Sequence, residues 1–447
     1  RRHEMDSVEI KRLDKEHIIH SWAVNDDLDP LVIKDVDGPY LIDGDDNRIL
    51  DFACGSVCVN VGHKHPKIVA AIQKQAEQIC YIRPSFTCES RAVFGKALAA
   101  LTPGDLNKFF FTVSGAESNE NAVKMARFFT KKQKILARYI SYHGASYGAA
   151  TLSGDPRRIK AEPGIPGVIH VMDPYCYRCP FKLTYPQCDI HCADYLQDVI
   201  GFENPETIAA IIVEPVTGSC GCIIPPDGYL QRLREICDQN EIMLIADEVM
   251  VGLGRTGRWF AVDHWDVVPD IMTMAKGLTN GYLPLGAVAV ADKISDVLYR
   301  QPLSCGLTYL AHPLCCAAAI ASIDVLREEK IIENTRRMGE VLKTELEVLK
   351  DKHACVGDVR SLGLMACLEL VKNKETREPL VAYGASGKAA ALSKEISNRL
   401  KQKGLFTIVR WLFLFVTPPL NITEEELRRG MAIIDEVLDF VDEHTEK

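Results

Sequence analysis

Residues 242–277, IMLIADEVMVGLGRTGRWFAVDHWDVVPDIMTMAKG, contain two short apolar runs that each lead into a charged side chain. Residues 242–246 are followed by Asp247, and residues 271–275 are followed by Lys276. Apolar runs of this length are typical of strands buried in a parallel sheet. Because ligands of open parallel sheets bind where the strands end, the stretch predicts a carboxylate and a lysine at one edge of one sheet.

This pair of residue types indicates a particular chemistry. A lysine amine can form a Schiff base with an aldehyde, and enzymes that use pyridoxal phosphate pair such a lysine with an acid at the nitrogen of the pyridine ring. Each residue alone is also explained as an ordinary charge at the end of a strand. The pair therefore needs support from other motifs.

A glycine motif between the two runs points elsewhere. Gly252-Leu-Gly254-Arg-Thr-Gly257 fits the dinucleotide-binding pattern G-x-G-x-x-G. That pattern requires its first glycine directly at the strand end and a helix opening there. Here residues 247–251 intervene, and the aromatic-rich residues 258–266 have no amphipathic helical pattern. The sequence therefore disfavours a dinucleotide site.

Several spaced motifs resemble the signature of class-III aminotransferases, which are pyridoxal-phosphate enzymes of fold type I; the matching residues are Asp247-Glu248-Val249, Gly252, Gly254-Arg255-Thr256-Gly257, Ala275-Lys276-Gly277 and Pro284-Leu285-Gly286. The resemblance extends from about residue 20 to the C-terminus. It implies that Lys276 is the lysine that holds pyridoxal phosphate, that Asp247 is the partner of the ring nitrogen, and that Val249 packs on the ring face.

The resemblance also implies an α/β fold with two domains. The large domain is expected to contain a mixed, mostly parallel seven-stranded sheet flanked by helices, and both termini are expected to form a small α+β domain. The predicted limits are an N-terminal arm and part of the small domain over 1–65, the large cofactor-binding domain over 66–318, and the C-terminal small domain over 319–447.

Composition agrees with this class of protein. A chain of 447 residues with 47% hydrophobic and 25% charged residues suits about two globular domains with a large core. The net charge of −9 gives no reason to expect nucleic acid or an anionic membrane as a partner. No apolar run reaches the length of a membrane span, and the N-terminal residues lack the apolar core of a signal peptide. Sixteen scattered cysteines favour reduced thiols in a cytoplasmic enzyme.

The remaining pattern predicts regular elements along the chain. They are a small antiparallel sheet over 31–51, helices beginning at Pro66 and near Pro313, a charged helix over 327–349, strands over 109–113, 207–214, 359–370 and 412–417, a strand that ends over 140–144, a helix over 229–240, and a final helix capped by Thr423.

A phosphate site is predicted where a strand leads into a helix. Ser114-Gly115-Ala116-Glu117 fits a capping box, followed by a helical run to Thr130. The free N–H groups and the positive dipole end of a helix bind anions. A plain helix cap is the simpler interpretation, but the resemblance places the cofactor phosphate on the stretch that matches Ser114, Gly115 and Ala116.

The resemblance implies further cofactor contacts. An aromatic residue at the position of Tyr142, in the turn that continues with His143, stacks on the ring, and a glutamate at the position of Glu214 lies beside the cofactor. The residue matching Thr308 reaches across a dimer interface to the partner's phosphate. A homodimer with shared active sites is therefore expected, and a tetramer stays open. Trp22 is expected to line the substrate pocket or to lie at an interface.

Substrate choice is predicted from departures within the family. Relatives that use glutamate, ornithine or 4-aminobutyrate carry an arginine at the position of Ala145 and a glutamate gate at the position of Ser219. Both losses resemble ω-amino acid:pyruvate and taurine aminotransferases, in which a mobile arginine at the position of Arg410 binds a carboxylate. A guanidinium binds a carboxylate or sulfonate through two hydrogen bonds. An ordinary surface ion pair is the alternative for Arg410.

These departures predict transfer of an amino group from taurine, β-alanine or a similar amine to a keto acid, with pyruvate as the expected acceptor. Three alternatives stay open: transfer to 2-oxoglutarate or a 4-aminobutyrate type of reaction, a class-III lyase that acts on aminoethyl compounds, and a non-catalytic homologue. A lyase would release ammonia without any keto acid.

One motif has no counterpart in this chemistry. Cys176, Cys179, Cys188 and Cys192 form a C-x2-C-x8-C-x3-C pattern in a loop with two prolines. Such cysteines can bind a structural Zn²⁺ ion, but the two pairs are closer together than in a zinc ribbon. A metal, disulfides and free thiols all stay compatible with the sequence, and no metal is predicted at the active site.

Overall fold

The computed structural model describes residues 5–446. Residues 1–4 and residue 447 lie outside the described residues. Residues 1–4 begin the segment that is predicted to lack the apolar core of a signal peptide. At the centre is a seven-stranded sheet with the order β4-β10-β9-β8-β7-β5-β6. Its strands are β4 (Lys108–Thr112), β5 (Lys134–Arg138), β6 (Val168–Val171), β7 (Ile208–Val213), β8 (Met243–Asp247), β9 (Ile271–Met274) and β10 (Gly286–Val290).

The predicted mixed, mostly parallel sheet is confirmed. Strand β10 runs antiparallel to both of its neighbours, and the pairings from β9 through β6 are parallel. Every residue of β7, β8 and β9 is buried. This explains why these strands are continuous apolar runs in the sequence: helices cover both faces of a parallel sheet.

Thirteen α-helices are found in the described residues. They are α1 (Ser7–His17), α2 (Cys54–Val57), α3 (Pro66–Gln78), α4 (Glu89–Ala99), α5 (Gly115–Thr130), α6 (Tyr147–Leu152), α7 (His191–Glu203), α8 (Tyr229–Gln239), α9 (Asp292–Arg300), α10 (Pro313–Glu328), α11 (Ile331–Lys352), α12 (Ala391–Gln402) and α13 (Glu424–Asp442). None of these helices combines the length and the apolar composition needed to cross a membrane.

Two smaller sheets lie outside the central one. The first pairs β1 (Ile33–Asp37), β2 (Tyr40–Asp43) and β3 (Arg48–Asp51) antiparallel, and β14 (Leu405–Phe406) joins β3 in parallel. The second contains β11 (Val356–Leu362), β12 (Met365–Asn373), β13 (Glu378–Pro379), β15 (Val409–Arg410) and β16 (Phe413–Val416). Both ends of the chain thus contribute to the first of these sheets, while the exact domain limits stay predictions.

Three predicted elements differ from the structure. The strand expected over 359–370 is a hairpin, because the chain turns at Gly363, with φ of 58°, between β11 and the antiparallel β12. The strand expected to end over 140–144 ends at Arg138, because the N–H of Ile140 donates to the Asp173 carboxylate (2.8 Å) and leaves the sheet ladder. The charged helix expected over 327–349 begins at Ile331. Lys330 adopts a left-handed backbone with φ of 52°, which separates α11 from α10.

Candidate active site

The predicted acid and lysine lie at the same edge of the central sheet. Asp247 ends β8, Lys276 follows the neighbouring strand β9, and Glu214 follows β7 on the other side of β8. Lys276 opens a short 3-10 helix (Lys276–Thr279) with a left-handed φ of 48°. That conformation is uncommon for a residue other than glycine and is typical of functional sites.

The Asp247 carboxylate is held from several sides. Oδ2 accepts hydrogen bonds from Asn119 Nδ2 (2.7 Å) and from the His143 ring at Nδ1 (2.7 Å), and Oδ1 accepts one from the Val249 N–H (3.0 Å). Asn119 is itself fixed, because its Oδ1 accepts a hydrogen bond from Thr273 Oγ1 (2.7 Å). A buried carboxylate that accepts from this many donors keeps one orientation.

Burial lowers the pKa of Lys276 from its ordinary value, and the carboxylates of Asp247 and Glu214 act against this shift. The lowered pKa increases the fraction of neutral amine, which is the form that attacks an aldehyde. We call Asp247, His143, Asn119 and Glu214 the carboxylate end of the site, with Lys276 facing its charges.

The predicted helix cap is present next to this end. Ser114 Oγ accepts a hydrogen bond from the Glu117 N–H (3.2 Å) at the start of α5. Glu117 Oε2 accepts from the Val113 N–H (2.9 Å), so the reciprocal bond of the capping box falls one residue earlier than expected. A Cβ added to Gly115 would lie 2.7 Å from Cγ1 of Val249, so the valine packs directly on the glycine.

These residues fit pyridoxal phosphate. The first N–H groups of α5, at Gly115 and Ala116, have no partner within the helix and suit a phosphate. The glycine leaves room for Val249 beside them. The fixed Asp247 carboxylate suits a protonated ring nitrogen, and Lys276 suits the aldehyde. When bound, the cofactor supplies that aldehyde and a ring that accepts an electron pair from the substrate carbon.

The protein's own groups then have separate tasks. The negative charge of Asp247 favours a proton on a nitrogen placed against its carboxylate. Lys276 Nζ would hold the cofactor's aldehyde, and when not attached to it would serve as the general base and acid that moves a proton at the substrate carbon. Glu214 joins this end to the next part of the site, since Oε1 accepts from the Tyr142 N–H (2.9 Å) and Oε2 from the Gly218 N–H (2.7 Å).

Two guanidinium groups meet around Ser219. Arg157 Nη2 donates to Ser219 Oγ (3.0 Å), and Arg410 Nη1 donates to the Ser219 carbonyl (3.3 Å). The Arg157 guanidinium also lies over the Tyr142 ring, 3.7 Å from its centroid, and 5.3 Å from the ring of Trp22. We call Arg157, Arg410, Ser219 and Tyr142 the guanidinium end.

The two arginines are balanced differently. The buried Asp155 carboxylate pairs with Arg157, with Nε to Oδ2 at 2.7 Å. Arg410 has no carboxylate within ion-pair distance in residues 5–446. Burial lowers the pKa of Arg410, and repulsion from Arg157 acts in the same direction. A pair of close cations with one counter-charge provides a binding place for an anion.

Two other predicted residues lie toward the surface. Trp22 is 64% exposed. Its ring packs edge-on with the Tyr142 ring, with 6.3 Å between the two ring centroids, so it borders the guanidinium end. Thr308 is exposed in a loop, where its carbonyl accepts a hydrogen bond from the Tyr81 hydroxyl (3.0 Å). None of the contacts found among residues 5–446 joins Thr308 to the carboxylate end of the same chain.

The sequence reasoning missed Asn119, Arg157 and Asp155. The sequence did contain a signal for Asn119. It is an asparagine about one turn into the helix that follows the candidate phosphate loop, on the face of that helix that is otherwise apolar. Asp155-Pro-Arg157 resembles an ordinary helix start, and Asp155 does accept from the Arg157 N–H (2.9 Å). Nothing in the spacing indicates that the Arg157 side chain meets Arg410, which lies 253 positions later in the chain (410 − 157).

Comparison with known proteins gives consistent matches. The family profile described as Aminotransferase class-III matches residues 22–438. The structure is similar to that of taurine:2-oxoglutarate aminotransferase from Bifidobacterium kashiwanohense, solved in complex with PLP and glutamate, with a TM-score of 0.94, 39% identity and coverage of 98% of this chain and 99% of that chain.

Two curated relatives carry other names. Leucine/methionine racemase from Thermococcus litoralis is 34% identical, over 93% of this chain and 92% of its own length. Taurine–pyruvate aminotransferase from Bilophila wadsworthia is 32% identical, over 98% of both chains. The relatives therefore belong to one family, but their names state different substrates and reactions.

Proposed function

The chain belongs to the class-III aminotransferases, a family of PLP-dependent transaminases, and from that membership we propose that it transfers the amino group of taurine or a related ω-amino acid to 2-oxoglutarate. The observation that carries the choice of acceptor is the meeting of Arg157 and Arg410 around Ser219. The sequence argument for pyruvate depended on the lack of a second cationic anchor, and Arg157 provides one.

The two candidate acceptors differ in their number of carboxylates, and the site has one more guanidinium than the sequence predicted. Pyruvate has one carboxylate beside its keto group, whereas 2-oxoglutarate has a second carboxylate at the far end. The Arg410 guanidinium can bind one carboxylate through two charge-assisted hydrogen bonds. Arg157, whose Nε and Nη2 already donate to Asp155 and Ser219, offers Nη1 and its positive charge to the other. A taurine-like donor has a single acid group, which one of the two guanidiniums suffices to bind.

The names of relatives support this proposal without deciding it. The similar solved structure is a taurine:2-oxoglutarate aminotransferase in complex with glutamate, whereas curated relatives at 32–35% identity include enzymes named for taurine and pyruvate or for putrescine and pyruvate. A racemase among the relatives means that amino transfer itself has to be measured.

The test is a panel of amino donors and keto acids with the holoenzyme and with two variants. Arg157→Gln removes the guanidinium beside Arg410, and Arg158→Gln removes the next arginine, which instead pairs with Glu162. We expect 2-oxoglutarate to exceed pyruvate in kcat/KM with the unmutated enzyme. Arg157→Gln should lower kcat/KM for 2-oxoglutarate by about one to two decades, because a charge-assisted contact contributes about 1.5–3 kcal/mol.

Pyruvate should lose less than 2-oxoglutarate in Arg157→Gln, and Arg158→Gln should behave like the unmutated enzyme. A preference of the unmutated enzyme for pyruvate contradicts the proposed acceptor and returns the choice to the pyruvate type. Ammonia released without any keto acid would indicate a lyase, and racemised amino acid without amino transfer would indicate a racemase.

The assembly and the location belong to the same proposal. Buried Arg91 donates to the carbonyls of Phe86 (2.5 Å) and Ala311 (2.7 Å), so it ties the segment around Phe86 to the loop that carries Thr308. Phe86 and Tyr309 are exposed there, as expected for a surface that a second copy covers. A homodimer that shares active sites should elute as one species at twice the chain mass. An active monomer would contradict this assembly.

For the location, the free thiols of the described residues suit the reducing cytoplasm.

A further inference from the structure

The cysteine-rich loop lies between β6 and α7, outside the catalytic site. Cys176, Cys179, Cys188 and Cys192 all line one small cavity of about 20 Å³ beneath this loop. A cavity of this size has room for about one water-sized occupant. We propose that these four thiols bind a single divalent ion of the zinc class as a structural tetrathiolate site.

The sequence pattern and the cavity agree on the ligand set. Structural zinc is bound by four ligands in a tetrahedron, often four cysteines. The two pairs approach from different directions: Cys176 and Cys179 lie in and next to a short 3-10 helix, and Cys192 lies in the first turn of α7.

The surroundings of the thiols require a cation if they ionise together. Burial raises the pKa of Cys192 to about 12, and the neighbouring Cys176, Cys188 and Cys179 raise it further by mutual repulsion. A bound divalent ion supplies the positive charge that four closely placed thiolates require, and each coordinating thiol then loses its proton to solvent.

The thiols still have to close around the ion. In the part of the chain that the structure describes, the one set of three or more potential ligands within 4.8 Å of one another is His353, Asp439 and Asp442, so no three of the four cysteine sulfurs are that close together. The His353 ring is already used there, since its two nitrogens hydrogen-bond to Asp442 (2.8 Å) and Asp435 (2.7 Å). Metal binding at the cysteines thus includes a contraction of the loop, which couples binding to loop stability.

A single ion fits better than the other uses of four cysteines. An iron–sulfur cluster brings several atoms and needs more space than about one water molecule occupies. All four cysteines are free thiols in the structure, so no disulfide restrains the loop. Cys176 is exposed and Cys179 and Cys188 are partly exposed, which gives an ion access from solvent.

The loop is connected to the guanidinium end. The Tyr175 hydroxyl and Arg178 Nε both donate to the buried Glu369 carboxylate. Arg360 Nη1 donates to the same carboxylate (2.8 Å), and Arg360 Nε donates to the Gly221 carbonyl (2.9 Å), two residues after Ser219. The ion therefore supports the side of the site that faces the substrate, although none of its ligands contacts the substrate.

The test measures metal in the full-length holoenzyme grown with added Zn²⁺. Plasma mass spectrometry should find about one zinc per chain, and X-ray absorption should give four sulfur neighbours at about 2.3 Å. Cys176→Ser and Cys188→Ser should each lose the metal, and the exposed Cys80→Ser should retain it. The two cluster variants should also melt at a lower temperature than Cys80→Ser.

Several results overturn the proposal. They are a fully folded enzyme with less than a tenth of a zinc per chain after incubation with Zn²⁺ under reducing conditions, oxygen or nitrogen neighbours in place of sulfur, iron and sulfide in place of zinc, and metal retained in both cluster variants. If the cluster variants do not fold, the metal content and sulfur coordination of the unmutated enzyme decide alone. None of these measurements depends on which amine or keto acid the enzyme uses.

Discussion

The carboxylate end and the guanidinium end of the site differ in how their charges are compensated. At the carboxylate end, Asp247 receives hydrogen bonds from Asn119 in α5, from His143 in the loop between β5 and α6, and from the Val249 N–H just after β8. At the guanidinium end, Arg410 donates to a carbonyl oxygen at 3.3 Å, is repelled by Arg157, and has no carboxylate within ion-pair distance among residues 5–446, although Asp155 acts on it from farther away. The charge of Asp247 is thus compensated within the protein, whereas the charge of Arg410 is not paired with a carboxylate among residues 5–446.

This difference indicates a division of tasks. A permanent cofactor needs a rigid, preorganised partner, because its chemistry depends on fixed charges. Substrates enter and leave at every turnover, so their counter-charges are left free for them. We therefore expect mutations at the carboxylate end to affect all substrates equally, and mutations at the guanidinium end to affect them according to their charge.

The largest effect is expected for Lys276→Ala. Both covalent attachment of the cofactor and proton transfer at the substrate carbon are lost, so kcat should fall by about 10⁴-fold or more for every substrate. Mass spectrometry after borohydride reduction should find the cofactor on unmutated Lys276 and none on the variant. Lys67→Ala, at an exposed ion pair, is the control. Cofactor that stays covalently attached to the Lys276→Ala chain would place the attachment on another lysine.

A somewhat smaller and equally uniform loss is expected for Asp247→Asn. The amide keeps the shape but loses the charge, and its NH2 group faces the donors on Asn119 and His143. The cofactor should stay bound while kcat falls by about 10²- to 10³-fold for acidic and neutral donors alike. Absorbance gives the cofactor content, and Asp296→Asn on the exposed side of α9 serves as the control. A loss confined to acidic donors would remove the distinction between the two ends.

Arg410→Ala should separate substrates by charge. We expect kcat/KM for taurine or β-alanine to fall by about one to two decades, since a bidentate charged contact contributes about 1.5–3 kcal/mol. A neutral donor such as 1-phenylethylamine should change little. The measurement is kcat/KM for both donors with a fixed acceptor, with exposed Arg337→Ala as the control. Equal losses for the two donors would show that Arg410 has a structural role instead.

The smallest expected effect concerns pH. Because burial lowers the pKa of Lys276, covalent attachment of the cofactor to the apoprotein should reach its full rate below the ordinary lysine value of 10.5. The carboxylates of Asp247 and Glu214 raise that pKa, so Glu214→Gln should move the rate profile to lower pH. Attachment rates followed by absorbance across pH check this. A profile that shifts to higher pH in Glu214→Gln would contradict the sign.

The two ends also differ in how far they could be predicted. Asp247 and Lys276 end or follow apolar runs, and such runs determine strands, so their place at one sheet edge was predictable. The helix cap at Ser114 was predictable for the same reason, since capping is a local property. The error over 140–144 arose where long-range hydrogen bonds to Asp173 and Glu214 replaced the strand pattern.

The sequence by itself determined the edge at which the acid and the lysine lie, because apolar runs of strand length are a property of neighbouring residues, whereas the seven-stranded mixed sheet was implied by the resemblance to class-III aminotransferases. Only the tertiary structure placed Arg157 beside Arg410 and Ser219, and Asn119 against Asp247. These contacts join residues that are far apart in the chain. They depend on how loops cross the sheet edge, and no local pattern of residues specifies that path.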